Sequence, residues 1–279
     1  MHKYLYCILS SLLLIACTED YNILNNDQPQ MIVEGWIESG DYPVVILTRS
    51  LPVKNPEQIE NLDDYIIKWA KVIVSNETDS VVLTGKYDES YFPPYIYTTG
   101  HLKGEIGKKY TLKVKYRDFQ ATATTTIPAV PSNCSLKIKK CNNSDSLYQI
   151  SAEFVDNPNE KNYYQFFTRI GTRTKQYQAS YLGTIDDVVL KGNVGVPVYR
   201  GRQIQQRKYI PYFMKDEIVH VKFAQIDEIS FKIWDSYTKT LSLSSNMFLS
   251  TSSNMETNIE GGFGYWCGYG AITYTIIIR

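Results

Sequence analysis

The chain has 279 residues, and its 29 Lys and Arg are matched by 29 Asp and Glu, so the formal net charge is zero. A balanced chain carries no broad field to steer nucleic acid or an anionic membrane surface. The length suits one large or two ordinary domains, and 23 tyrosines among many Thr, Val and Ile favour strands.

Residues 1–16 read as a signal peptide. His2 and Lys3 form a short basic start, and Tyr4 to Ala16 is an apolar run. That run is shorter than the about 20 apolar residues a membrane-spanning helix needs. Ala16 followed by Cys17 is similar to the bacterial lipoprotein box, in which the Cys thiol receives diacylglycerol and the new amino terminus is acylated. Cys17 is therefore the expected lipid anchor, each buried methylene contributing roughly 0.8 kcal/mol. The alternative is an ordinary secretory signal that ends at a Cys. Glu19-Asp20 resembles the acidic signal that sends Bacteroidota lipoproteins to the cell surface. The expected location is the outer membrane, lipid-anchored and facing outward, with the periplasmic face as the other option. Residues 17–29 are polar, without a usable period, and read as a flexible tether.

A first β-sandwich-like domain is expected over 30–128. Gln30 to Ile37 and Pro43 to Arg49 are strand candidates, and Pro52 to Asp64 is an acidic loop. Lys71 to Ser75 and Ser80 to Thr84 flank Asn76-Glu77-Thr78-Asp79, which predicts a hairpin with a four-residue turn. Tyr110, Leu112, Val114 and Tyr116 alternate with Thr111, Lys113 and Lys115, the pattern of a strand with one buried face. Phe119 to Ile127 returns after a tight turn at Arg117-Asp118. Short strands with turn signals between them read as a sandwich.

Pro128-Ala129-Val130-Pro131 is an extended linker, and 134–279 is expected to form a second, β-rich domain. Leu136 and Ile138 alternate with lysines, and Tyr148, Ile150, Ala152 and Phe154 alternate with polar residues. Asn162 to Phe167, Gln176 to Leu182, Asp187 to Leu190, Lys208 to Phe213 and Glu217 to Gln225 supply further strands. The period then changes. Ile226, Ile229, Ile233, Tyr237 and Leu241 fall on one face at helical spacing. Asp227 can cap the start, Glu228 suits the first turn and Lys239 the last. A helix is thus predicted near 227–242. Asn258 to Gly270 is rich in Gly and aromatics and is read as turns and bulges, with Ile272 to Ile278 a closing strand. The expected architecture is mainly β: two β-sandwich-like (immunoglobulin/fibronectin-like) domains, the second with one helix.

Three cysteines lie beyond the anchor. If Cys134 to Cys141 is one strand, its ends are about 23 Å apart, and a disulfide tolerates about 7 Å. Either one of them pairs with Cys267, or all three are free. Cys267 with a distant His could form a nucleophile pair, but a buried structural Cys beside Trp266 is the preferred reading. His101 and His220 stand apart without a near ligand partner, so no metal is expected. No Gly-x-Ser-x-Gly elbow, P-loop or dinucleotide fingerprint is present. The neighbouring carboxylates Asp63/Asp64 and Asp216/Glu217 read as solvated loop charge rather than a glycosidase pair. Neither an enzyme nor a cofactor is expected. Asp79-Ser80-Val81 and Asp145-Ser146-Leu147 resemble the O-glycosylation signal of exported Bacteroidota proteins, which makes Ser80 and Ser146 candidate sites. Tyr265, Trp266 and Tyr269 are weighed as a partner surface, with core packing as the preferred alternative.

The order of features resembles the Bacteroidota lipoproteins of domain-of-unknown-function family 4249. The features are Cys17, Ile32-Val33-Glu34-Gly35-Trp36-Ile37, Val45-Ile46-Leu47-Thr48-Arg49-Ser50 and Ala70-Lys71-Val72-Ile73-Val74. They continue with Gly107 to Val114, Asp156-Asn157-Pro158 before Asn162-Tyr163-Tyr164, and Asn258-Ile259-Glu260-Gly261-Gly262-Phe263-Gly264. The resemblance implies a cell-envelope lipoprotein associated with a TonB-dependent receptor, and it carries over no catalytic residue. The functional expectation is a non-enzymatic accessory or binding partner of such a receptor in nutrient capture, with its ligand unassigned. The alternative is a structural or adhesive surface module without a small-molecule ligand.

Overall fold

Alternating burial sets the first strands. In the computed structural model, which describes residues 29–50, 61–132, 134–142, 144–156, 159–186, 193–202, 209–244 and 255–279, β1 (Met31–Glu38) buries Met31, Val33 and Ile37 on one face. Its other face carries Ile32, Glu34, Trp36 and Glu38, all half-buried. β2 (Val44–Arg49) pairs antiparallel with β1. β3 (Lys71–Ser75) and β4 (Ser80–Tyr87) form the expected hairpin. Its turn is organised by the Asn76 side chain, whose Oδ1 accepts the backbone N–H groups of Thr78 at 2.9 Å and Asp79 at 2.7 Å. β5 (Tyr95–Thr98), a short strand that follows Pro93-Pro94, was not expected from the sequence. β6 (Lys109–Tyr116) and β7 (Phe119–Thr126) follow, and Arg117 takes the left-handed turn position between them.

After the prolines come β8 (Ser135–Lys140), β9 (Leu147–Val155), β10 (Tyr163–Ile170), β11 (Gln178–Asp186), β12 (Asn193–Val198), β13 (Phe213–Met214) and β14 (Ile218–Ile226). Helix α1 (Glu228–Ser244) and the long strand β15 (Phe263–Ile277) end the chain. Cys17, the signal peptide, the tether up to residue 28 and the strand candidate at 187–190 lie outside the described residues, as does residue 208.

The molecule is mainly β, sandwich-like, with one α-helix near its C-terminus. Eleven strands form one mixed sheet in the order β11-β10-β14-β15-β1-β2-β5-β4-β3-β6-β7. The join is parallel: β1 runs beside β15 from Ile32↔Phe263 to Glu38↔Tyr269. The first part of the sheet wraps on itself, so that Thr122 of β7 meets Glu260 just before β15 through reciprocal backbone bonds of 3.0 and 2.9 Å. Inside this wrap lies a core of Val33, Leu47, Val74, Tyr97, Leu112 and Trp266, among others. A second, smaller sheet of β8, β9, β12 and β13 covers one face of β10-β14-β15. Ile150, Phe154, Phe166, Val221 and Phe223 fill the space between, and Phe166 stacks on Phe223 with centroids 4.6 Å apart. On the opposite face α1 packs over Tyr163, Phe167 and Tyr269. The prolines thus lie between two cores, but residues 259–268 run back across that division into the first.

Two expectations change. The Gly/aromatic stretch is not a chain of turns: from Phe263 onward it is strand, continuous with Ile272 to Ile277. Its glycines sit where another backbone crosses at close range. A Cβ on Gly264 (φ +110°) would lie 1.9 Å from the Val33 carbonyl oxygen, and one on Gly270 would lie 2.3 Å from that of Ala129, in the linker. The helix is present with Ile226, Ile233 and Tyr237 of the expected stripe packed beside Trp234, and the departure is at one position. Ile229 is 49% exposed, whereas Ser230, Ile233 and Trp234 are buried. The expected Asp227 cap is there, its Oδ1 accepting the Ser230 N–H at 2.8 Å.

Candidate functional site

Since β1 commits Val33 and Ile37 to the first core, alternation sends Glu34, Trp36 and Glu38 to the other side. The parallel register sets them beside Tyr265, Cys267 and Tyr269 of β15. Beyond β15, Lys222 on β14 and Phe167 and Arg169 on β10 extend the same surface. Helix α1 walls one side. Trp234 meets Phe167 edge-on at 5.3 Å and lies 5.0 Å from Tyr265. The result is a floor of sheet built from both halves of the chain.

Two loops meet above it. Residues 88–94 come from the first half and 171–177 from the second. The Lys175 N–H and the Thr174 hydroxyl both donate to the Ser90 carbonyl oxygen at 2.9 Å. The Phe92 N–H donates to Gln176 Oε1 at 2.9 Å, and Lys175 Nζ pairs with Asp88 at 3.3 Å. The Ser90 hydroxyl, with Lys175 beside it, holds the Asp88 carboxyl below the usual carboxylate range.

Two cavities of about 440 Å³ each open here, sharing Tyr91, Gln176, Tyr177, Trp234 and Tyr265 as a common wall. The first mixes charges: Glu38, Asp41 and Asp88 face Lys86, Arg169, Lys175 and Lys222. At its base Lys222 forms a largely buried ion pair with Glu38, and its ammonium lies 4.2 Å from the centre of the Tyr177 ring. The second cavity holds Glu34 and, at its rim, Glu89. Burial pushes the Glu34 carboxyl up to about 6, and burial also raises the phenol of Tyr265.

The residues singled out from the sequence divide. Trp266 is fully buried in the first core, its Nε1–H donating to the Tyr110 carbonyl at 3.1 Å. It fills the space that Gly35 leaves open, since a Cβ there would lie 2.8 Å from its ring. Tyr269 is also buried, against Phe167 at 5.2 Å. Both side chains are thus packed in the interior, the alternative the sequence favoured. Tyr265, half-buried, lines both cavities. Ser80 and Ser146 are exposed, at the start of β4 and just before β9. Cys134, Cys141 and Cys267 are unpaired, and burial pushes the Cys267 thiol up to about 12, far from a nucleophile's range.

His101 is exposed, while His220 Nδ1 lies 2.8 Å from Thr275 Oγ1. Among the described residues no group of three or more His, Cys, Asp or Glu could hold a metal. Asp63 pairs with Lys68 at 2.8 Å, and Glu217 is held by Arg200 and the Met214 N–H, so these carboxylates serve local structure. The cleft itself was not read from the sequence. Its one local signal is a strand that alternates apolar residues with Glu34, Trp36 and Glu38, a second face too costly for plain core and too aromatic for plain solvent.

No curated protein matches the chain. A family profile matches residues 18–275, nearly its whole length, and the chain therefore belongs to domain-of-unknown-function family 4249 (DUF4249).

Proposed function

We propose that this protein is a non-enzymatic lipoprotein of the outer membrane that captures a small ligand in its cleft and works beside a TonB-dependent receptor. The observation that carries the reading is the cleft itself, floored by one continuous sheet from both halves and bridged by two loops bonded to each other. Pockets of this size with aromatic walls and a few polar groups suit small-molecule binding. The signal-like segment ending at Cys17 supports the anchor, and Glu19-Asp20 supports outward display. Of the groups weighed for catalysis, Cys267 is buried in the core and Asp63 and Glu217 are held by Lys68 and Arg200, which favours binding over turnover.

Two measurements test this. Cys17→Ala is expected to move the protein from the outer-membrane fraction to the soluble one; a variant that still fractionates with the membrane refutes the anchor. Tagged protein pulled from solubilised outer membranes is expected to bring a TonB-dependent receptor with it. Recovery of the protein alone refutes the partnership.

A further inference from the structure

We propose that the second cavity binds a small organic cation, an alkylammonium or guanidinium group, with Glu34 as its counter-charge and aromatic rings as its walls. The inference rests on reading the cleft as a ligand site, and it names the class of ligand.

Charge is the first argument. The cavity is lined by the carboxyls of Glu34 and Glu89, and no Lys, Arg or His lines it among the described residues. No described residue donates a hydrogen bond to the Glu34 carboxyl, and desolvation alone governs its proton affinity. A carboxylate withdrawn from water without a partner is costly, and a cationic ligand removes that cost. Tyr265 comes from β15, Trp234 and Tyr237 from α1, Tyr91 and Tyr177 from the bridging loops, and Ile46 is the register partner of Glu34 on β2. The field of Arg202 reaches Tyr237, and Glu89 is the other carboxyl.

The second argument is an internal precedent. In the neighbouring cavity Lys222 sets its ammonium between Glu38 and the face of Tyr177, with 4.2 Å to the ring centre. Glu34 lies on the same face of β1 as Glu38, with Trp234 and Tyr265 packed 5.0 Å apart beside it. The carboxylate and the rings are repeated there, and among the described residues no ammonium accompanies them. Aromatic faces attract such cations through the ring quadrupole.

The test uses the full-length protein in a non-ionic maltoside detergent. Choline, agmatine and the uncharged isostere of choline, with carbon in place of the quaternary nitrogen, are titrated by calorimetry and by tryptophan fluorescence. Saturable binding of at least one cation is expected, with the isostere about tenfold or more weaker. Glu34→Gln should weaken cation binding by about tenfold or more while leaving isostere binding unchanged. Cation affinity should also fall as pH drops through about 6, where Glu34 takes up a proton. Tyr237→Ala is a second variant off the strand, and melting curves establish that each variant folds. An isostere that binds as tightly as choline, a Glu34→Gln protein with undiminished cation affinity, or no saturable response to either cation overturns the proposal. If the receptor is still pulled down in any of those cases, the cation assignment alone fails. If it is not, the wider reading fails as well.

Discussion

Glu34 and Glu38 share one face of β1, yet among the described residues only Glu38 has an ammonium beside it. The difference has a thermodynamic signature. Glu34 holds its proton up to about pH 6 when folded, against an ordinary value of 4.5. Between those values the folded state binds more protons than the unfolded one, so stability is fullest below the lower value and is lost as pH rises through the higher. Glu34→Gln removes that loss. It should stabilise the protein by about 2 kcal/mol near pH 7.5 and leave it unchanged near pH 4.5. Denaturant melts at the two pH values check this, and equal stabilities at both would mean that the carboxyl is well solvated. The sequence showed Glu34 as one polar residue in an alternating strand. It could not show that Lys222 answers Glu38 and leaves Glu34 alone, because that depends on β14 lying two strands away in the folded sheet.

Among the elements, β15 and α1 show how far local pattern reaches. The helix was legible because its 3.6 period and the Asp227 cap are local. Most of its packed stripe was legible too, with Ile226, Ile233 and Tyr237 against the sheet, but the exact rotation was not, since the sheet decides it. Trp234 wins because it fits edge-on against Phe167, which leaves Ile229 outside. Asp227 also reaches beyond its own helix: its Oδ2 accepts from the Thr125 hydroxyl at 3.2 Å, and Thr125 Oγ1 accepts the Gly268 N–H at 2.7 Å. One cap thus joins α1, β7 and β15. The glycines of β15 signalled turns by composition, but their use is to admit a neighbouring backbone. Gly264→Ala places a Cβ at φ +110° and 1.9 Å from the Val33 carbonyl oxygen. The substitution should cost about 2 kcal/mol or more, read as a lower denaturation midpoint. Because Gly264 also lines the second cavity, it should weaken ligand binding there too.

At the scale of the whole molecule, the parallel β1–β15 pairing makes one sheet of the two halves. The first core depends on Ile259 and Trp266, both supplied from the far end of the chain. Removing a buried Trp alone costs about 3–5 kcal/mol, a large part of a typical domain's stability of about 5–15 kcal/mol. A fragment of residues 29–131 should therefore show no cooperative melt, while the full chain should unfold in a single transition by both circular dichroism and fluorescence. A cooperative melt of that fragment would show that the first half folds alone.

By itself the sequence determined the β-rich class, most strand positions, the 76–79 hairpin turn and the existence of the helix, and it carries the family membership from residue 18 to 275. It also supplied the expectation of a lipid anchor at Cys17, outside the described residues. Those features are written in short-range alternation, turn chemistry and local motif, which need no knowledge of distant partners. Only the tertiary structure decided that β1 lies beside β15, that Trp266 is core, that three cysteines stay apart, and that Glu34 faces a cavity in which no described residue supplies a counter-charge. Alternation encodes which face of a strand is apolar, but not which strand lies next to it, and the cleft is made entirely of such neighbours.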